Sequence, residues 1–410
     1  MPKKHLTLLH TSDWHLGRRL FDRKRHDEAE AFLAWLLKTL EEKETDVLVI
    51  AGDVFDTVAP GARAQEMYYG FLAAAARTCR HIVVVSGNHD PAALLDAPKN
   101  LLKTFSIHVV GSACADPADE VLVLKDDDGT PELAVCAVPF LRERDLRTVE
   151  AGEAVGEKDE KVHRCIRTHY EAVFAAAKEK CPQGDIPVIA TGHLFAAGGK
   201  TGEGERDLYV GSLGQVGGDI FACFDYTALG HLHVPQTVGG NECIRYSGSP
   251  FPMGFGEAGQ QKSVCLVGFD GGRKTTVETV AIPVFQKLES IRGSADVLLN
   301  RIGELAEAKE SCWVEAIHSG DAMVPRLREQ LFEAAEGSCV EILRVVDERT
   351  FTAPLLARQG EYLCDLRPDD VFERCLEANG VTEEERPELR RAFSEIVFAV
   401  QNPDAEGGEA

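Results

Sequence analysis

Five short apolar runs in this chain each end in a glycine or polar turn bearing Asp, Asn or His. Leu6–Leu9 leads to Asp13 and His15, Val47–Ala51 to Gly52, Asp53 and Asp56, and Ile82–Ser86 to Gly87, Asn88, His89 and Asp90. Val188–Thr191 leads to Gly192 and His193, and Tyr226–Leu229 to Gly230, His231 and His233. Taken singly these residues say little. A histidine after a strand is more often a turn or core residue than a ligand, and Asp56 would serve equally well to cap the turn that follows it. In this order, each after a strand, they form a set of nitrogen and oxygen donors that suits Mn²⁺, Fe²⁺ or Zn²⁺ better than Ca²⁺ or Mg²⁺. The absence of thiolates from the five loops disfavours a structural zinc site. Two ions held there would activate a water and clamp phosphate oxygens for in-line hydrolysis of a phosphate ester. A dinuclear site needs a bridging group, and Asp53, central in chain order, is the candidate. Expelling an alkoxide calls for a proton donor. His89, next to Asn88, is placed to donate, with Asp90 able to orient its imidazole.

The elements that must position these residues alternate. Apolar residues Ala29, Phe32, Leu33, Leu36, Leu37 and Leu40 follow helical spacing, 65–77 reads as an alanine-rich helix, and 163–180 as a third long helix. Strand–helix alternation predicts an α/β fold with parallel strands and covering helices. In such sheets ligands gather beyond the carboxyl ends of the strands. Residues 121–124 and 132–138 read as a strand pair around the turn Asp126–Gly129, whose acidic run lacks the spacing of a calcium loop. Residues 150–161 read as an exposed connection, and 244–284 as a second sheet completing the first domain. Beyond Pro283, strand-like and helical segments alternate to about 346. Helices are predicted over 368–379 and 382–400, followed by a polar tail.

Composition narrows the classes further. With 410 residues, two domains and a small appendage are expected. No apolar run is long enough to cross a bilayer, and the first residues lack the apolar stretch of a signal peptide, so a cytoplasmic location is expected. The 12 cysteines are scattered without a C-x-x-C pair, which points to reduced, small apolar residues. A net charge of −23 argues against a free-standing, non-specific DNA binder, but not against a nuclease whose positive charge is local. One such local cluster is Arg18, Arg19, Arg23, Lys24 and Arg25, directly after the first ligand loop.

The five-part series resembles the calcineurin-like metallophosphoesterase superfamily. His10–Gly17, Ala51–Asp56 and Ser86–Asp90 are similar, more narrowly, to the SbcD family of nuclease subunits, related to the double-strand-break repair nucleases. Gly192–Gly198 and Tyr246–Phe255 extend the likeness. The resemblance implies a two-sheet α/β sandwich with a smaller α/β capping domain and C-terminal helices. It implies one ion on Asp13, His15, Asp53 and His233, a second on Asp53, Asn88, His193 and His231, and His89 as the catalytic histidine that is not a ligand. It implies Mn²⁺, 3′-to-5′ exonuclease action on duplex DNA, endonuclease action on single strands and hairpins, an SbcC-type ATPase partner, and a homodimer that yields a heterotetramer. The expected domains are a nuclease domain over 1–285, a cap over 286–365, and ATPase-docking helices with a tail over 366–410. The docking faces would present Val371, Phe372, Cys375 and Leu376, then Leu389, Phe393, Ile396 and Val397.

Two other readings stand beside this one. The same site would serve an enzyme acting on small phosphodiesters or phosphoproteins, and the long C-terminal extension and the 192–255 stretches argue against that. A scaffold that had lost catalysis would not need the intact ligand set.

Overall fold

The computed structural model describes residues 5–142, 145, 155–181, 186–196, 216–270, 273–320, 324–348, 372–373, 376 and 386–401. In chain order the elements are β1 (His5–Thr11), β2 (Arg19–Leu20), β3 (Arg23–Lys24), α1 (His26–Glu42), β4 (Val47–Ala51), α2 (Ala62–Ala75), β5 (His81–Val85), α3 (Ala92–Asp96), α4 (Lys99–Lys103) and β6 (Ile107–Val110). Next come β7 (Val121–Lys125), β8 (Pro131–Cys136), α5 (Val155–Lys180), β9 (Val188–His193), β10 (Tyr226–Gly230), β11 (Gln236–Val238), β12 (Asn241–Tyr246), β13 (Ser263–Asp270) and β14 (Arg273–Ala281). The last group is β15 (Lys287–Gly293), α6 (Ala295–Ala308), β16 (Cys312–His318), α7 (Leu327–Ala335), β17 (Val340–Asp347) and α8 (Arg386–Gln401).

Two six-stranded sheets pack face to face, in the orders β14-β13-β1-β4-β5-β6 and β11-β12-β10-β9-β8-β7. Strands buried on both faces read as unbroken apolar runs rather than alternating ones. Thus Val47 and Val49 of β4 enter the layer between the sheets, against Leu133, Val135, Ile189 and Ala228. Leu48 and Ile50 of the same strand face α1 and α2, where Phe32, Leu36, Tyr68 and Phe71 meet them. On the outer face of the second sheet, Ile166, Tyr170 and Val173 of α5 cover Ala134, Ala190 and Leu229. The result is a helix–sheet–sheet–helix sandwich. The parallel strands β1, β4 and β5 of one sheet, and β9 and β10 of the other, bring their carboxyl ends to the same edge.

Two expectations are corrected. The second sheet is not built from 244–284. Of that stretch only the end of β12 joins it, parallel to β10, while the β13–β14 hairpin turns back to pair antiparallel with β1 of the first sheet. The reason is burial. Val264 reaches the helix side of the first sheet and Val267 and Phe269 the layer between sheets, so β13 needs cover on both faces and finds it beside β1. The helix expected from 163 begins at Val155, inside the segment read as an exposed connection. The Asp126 turn is the hairpin turn expected: its carboxylate accepts from the Asp128 and Thr130 amides at 3.1 and 2.8 Å.

After β14 the chain passes to a three-stranded parallel sheet, β15-β16-β17, with α6 and α7 packed on one face through Leu298, Ile302, Leu305 and Leu331. Its other face touches the two-sheet body where Leu288, Trp313 and Leu343 meet Leu20 and Phe255. The helix expected over 382–400 is present as α8. The helix expected over 368–379 lies almost wholly outside the described residues. Among the described residues, no helix is long and apolar enough to cross a membrane.

Candidate metal centre

The five loops converge. Beyond β1 and β4 the two chains stay in register into the loops, with the Asp13 amide on the Gly52 carbonyl and the His15 amide on the Asp53 carbonyl, both at 3.0 Å. Four residues at this edge take a left-handed backbone conformation that side chains disfavour: Asp13 (φ 54°), His15 (φ 46°), Asp53 (φ 49°) and His231 (φ 103°). Each such residue costs about 1–3 kcal/mol, and strain of this kind collects where a site requires it. The loops are held by close backbone approach. A Cβ on Gly87 would lie 2.1 Å from Asp53 Oδ1, and one on Gly230 would lie 2.0 Å from the Ala51 carbonyl. Gly87→Ala must therefore displace Asp53. Misplacement near 1 Å costs on the order of 10²-fold in turnover, so kcat is expected to fall by that much with weakened metal binding. Gly70→Ala, with nothing within 4 Å of the new atom, should show neither effect when both variants are assayed and titrated with Mn²⁺.

Donor chemistry answers whether a cation fits. His193 Nδ1 donates to the Ala51 carbonyl at 3.0 Å, which leaves the lone pair on Nε2. That atom lies 3.0 Å from Asn88 Oδ1 and 3.2 Å from Asp53 Oδ2, both acceptors. His231 Nδ1 stands 3.2 Å from the same Asn88 oxygen. Acceptors facing one another need a proton or a cation between them. Burial opposes charge on His193, yet Asp53 and then Asp13 lift its pKa to about 9, so without an ion a proton fills that role. Burial and the neighbouring His193 press His231 down to about 3, leaving it neutral and able to ligate at pH 7. The buried Asp53 carboxylate is stabilised far below its usual range by His193, His15 and His89, which outweigh its desolvation.

On the other side, His15 Nε2 is buried with no hydrogen-bond partner, 3.7 Å from Asp53 Oδ2. Asp13, His15 and His233 offer ligand atoms within 4.8 Å of one another, and so do Asp13, Asp53 and His193. These groups fit divalent cations: Asp13 is common to both, and Asp53 Oδ2 stands 3.2 Å from His193 and 3.7 Å from His15, one from each. All seven expected ligand positions, Asp13, His15, Asp53, Asn88, His193, His231 and His233, lie in this cluster.

Several roles differ from expectation. The His89 imidazole is at the centre, but Asp90 does not orient it. His89 Nδ1 donates to the Asp56 carbonyl at 2.9 Å. The Asp90 carboxylate accepts instead from the amides of Val54, Phe55 and Gly87 at 3.2, 2.9 and 2.8 Å, stitching the β4 loop to the β5 loop. Burial and the Asp53 charge raise Asp90 to about 6. Asp56, which its position alone left between cap and site, stands 3.3 Å from His15 Nδ1 and accepts from Arg18 Nη1 at 3.0 Å. Its carboxylate thus faces the Nδ1 edge of His15, while Nε2 faces Asp53.

The basic cluster is divided. Arg25 cannot contact DNA: it is 3 % exposed, its guanidinium pairs with Glu28 at 2.7 Å, donates to the Pro252 carbonyl at 2.6 Å and lies over the Phe251 ring. Its burial and partnered charge make it part of the packed interior. Arg18 is committed to Asp56, and Arg23 pairs with Glu341 on β17. Arg19 and Lys24 remain exposed on the β2–β3 ribbon. No motif warned of Glu257 and Lys262. Glu257 is fully buried 3.6 Å from His233 Nδ1, and Lys262 Nζ joins it at 2.6 Å. Burial would raise Glu257, but His233 and Lys262 hold it down to about 2. Its place in a glycine-rich stretch well beyond β12 carried no ligand signal.

A sandwich of two mixed sheets with an Asp, Asn and His cluster at its edge defines a metallophosphoesterase. Residues 6–235 match the family model described as calcineurin-like phosphoesterase, and residues 284–379 one described as type 5 capsule protein repressor C-terminal domain. The SbcD subunit of the SbcCD nuclease of Escherichia coli (strain K12) is 34% identical over 95% of this chain and 97% of its own. Its namesakes are 37% identical in Rhodobacter capsulatus, over 65% of this chain and 67% of theirs, and 36% identical in Bacillus subtilis, over 68% and 70%. The chain belongs to the SbcD family of metal-dependent nuclease subunits within the calcineurin-like phosphoesterases.

Proposed function

We propose that this chain is the nuclease subunit of an SbcCD-type complex that hydrolyses phosphodiester bonds of DNA, as a 3′-to-5′ exonuclease on duplex ends and an endonuclease on single strands and hairpins, with an SbcC-type ATPase as partner. One observation carries the reading. Lone-pair atoms of His193, Asn88 and Asp53, from three separate loops, face one another, and a cation between them satisfies every contact. Asp13, His15, Asp53 and His233 would hold one divalent ion, and Asp53, Asn88, His193 and His231 the other, with Mn²⁺ the ion proposed because its chemistry accepts carboxylate and amide oxygens alongside imidazole.

When bound, such ions lower the pKa of a water and neutralise phosphate oxygens. The remaining work belongs to the chain. Asp53 keeps its two oxygens apart, Oδ1 fixed by the His89 amide at 2.8 Å and Oδ2 turned to His193. Asp56 and Ala51 set the tautomers of His15 and His193. His89, with Nδ1 tied to the Asp56 carbonyl, delivers a proton from Nε2 to the departing alkoxide. Arg19 and Lys24, exposed beside the centre on the ribbon that ends at Arg25, are the proposed backbone contacts for DNA.

A homodimer is supported by Leu101 on α4 and Phe105 just beyond its end, 64 % and 60 % exposed. Residues 286–365 act as the cap. The C-terminal segment, of which α8 is the described part, docks the ATPase through an apolar face that includes the exposed Leu389. The test is the purified chain with Mn²⁺, offered linear duplex, hairpin DNA and a small phosphodiester, with and without the ATPase. Cleavage of DNA, lost on chelation and on duplex ends strengthened by the ATPase, is expected. Turnover of the small ester alone would overturn the reading in favour of a phosphodiesterase.

A further inference from the structure

Behind the metal centre lies a buried ion pair that the reaction itself does not employ. Glu257 is 0 % exposed and Lys262 3 %. Lys262 Nζ donates to Glu257 Oε2 at 2.6 Å, to the His233 carbonyl at 2.9 Å and to Gln260 Oε1 at 3.1 Å. Glu257 Oε2 also accepts from the Met253 amide at 3.0 Å, while Oε1 faces His233 Nδ1 at 3.6 Å. The lysine thus holds the main chain of His233, and the carboxylate faces the Nδ1 edge of its ring at ion-pair distance. A carboxylate behind a ligating imidazole fixes the tautomer that leaves Nε2 for the metal and makes the ring a better donor.

A buried pair of this kind is poor evidence for stability. Replacing both charges with apolar groups is often neutral or stabilising, whereas removing one leaves the other uncompensated. The pair's position points to function. The Lys262 carbonyl accepts from the Ile282 amide and the Gln261 side chain reaches the Ile282 carbonyl, both at 2.9 Å, at the segment where the chain leaves the two-sheet body for the three-stranded domain. Lys262 also lines a cleft of about 600 Å³ bounded by Phe251, Ile282, Phe285 and Leu288. Lys262 thus joins the lining of that cleft to the main chain of His233.

We propose that Glu257 and Lys262 are positioning residues for His233, setting the affinity of the one ion that His233 would hold and leaving the other ion unaffected. The inference rests on the proposed function, in which His233 is a ligand. Two variants of the full chain, Glu257→Gln and the double variant Glu257→Leu with Lys262→Met, are titrated calorimetrically with Mn²⁺ beside the parent protein, and their melting temperatures are recorded without metal. The parent should bind two ions. Glu257→Gln should weaken one of the two about 10–100-fold. The double variant should do the same while melting, without metal, at or above the parent temperature, a combination that a purely structural pair would not produce. Activity of both variants should return as Mn²⁺ is raised, so that the metal requirement moves and kcat does not. Two ions bound with unchanged affinities in the double variant would overturn the positioning role and leave the metal centre standing. Failure of the parent itself to bind two ions would instead overturn the centre.

Discussion

His89→Ala is expected to lower kcat about 10²–10⁴-fold, the usual contribution of a positioned proton donor, while both ions bind with parental affinity. The structure separates the two properties. His89 contributes its amide to Asp53 Oδ1, and that bond survives the substitution because it is made by the main chain. The imidazole is bound to the Asp56 carbonyl through Nδ1 and makes an edge contact with His15, ring centroids 4.9 Å apart. Removing the ring leaves the ligand atoms of Asp13, Asp53, Asn88, His193 and His231 where they are. Calorimetric titration with Mn²⁺ and single-turnover cleavage of a DNA substrate measure the two quantities on one preparation. Near-parental turnover would remove His89 from the chemistry. Normal turnover per bound ion with weakened binding would make it a ligand instead of a donor. His89→Gln adds a check, since an amide can hold the hydrogen bond to Asp56 but cannot deliver a proton at neutral pH.

The five loops were legible because strands buried on both faces leave continuous apolar runs, and each run ended on a distinctive polar turn. Val47–Ala51 and Ile82–Val85 announce both a strand and the place where it stops. What joins to what was not legible. The β13–β14 hairpin follows β12 in sequence but pairs with β1 at the far end of the chain, His5 opposite Asp270. Nothing local in 263–281 distinguishes the edge of one sheet from the edge of the other. The choice is made by which edge offers cover on both faces.

The same division runs through the site. Ligand types could be read from the loops, because their Asp, Asn and His side chains are the nitrogen and oxygen donors that divalent cations take. The residues that aim the site's imidazoles could not, because main-chain carbonyls aim two of them. The Ala51 carbonyl sets His193 and the Asp56 carbonyl sets His89. Asp90, adjacent to His89 in sequence, points its carboxylate at three amides instead of at its neighbour's ring. The arginine cluster misled for a related reason. Charge in a sequence says nothing about depth, and Arg25 commits its guanidinium to Glu28, Pro252 and Phe251.

Asp53→Asn should damage metal binding as well as turnover, lowering metal-supported cleavage by about 10³-fold or more, because groups that stabilise reaction charge each contribute on the order of 10²–10³ and this one would serve both ions. The substitution keeps shape and the oxygen that accepts from the His89 amide. It removes the negative charge that His193 and His15 face at 3.2 and 3.7 Å. Burial disfavours charge on His193, and Asp53 is the main influence lifting it to about 9. With Asn at position 53, burial prevails and His193 is expected to become neutral at pH 7, leaving no net negative group between the two ligand sets. Metal then has to be held by Asp13 as the one carboxylate left among the seven proposed ligands. Titration should show one of the two ions lost outright and the other weakened. The melting-temperature gain on adding Mn²⁺ should shrink accordingly, since a ligand at about 100 times its dissociation constant stabilises by about 2.7 kcal/mol and a weak one hardly at all. An Asp53→Asn protein that still bound two ions and cleaved DNA within tenfold of the parent would show that the carboxylate is not shared, and the dinuclear arrangement would have to be redrawn around Asp13.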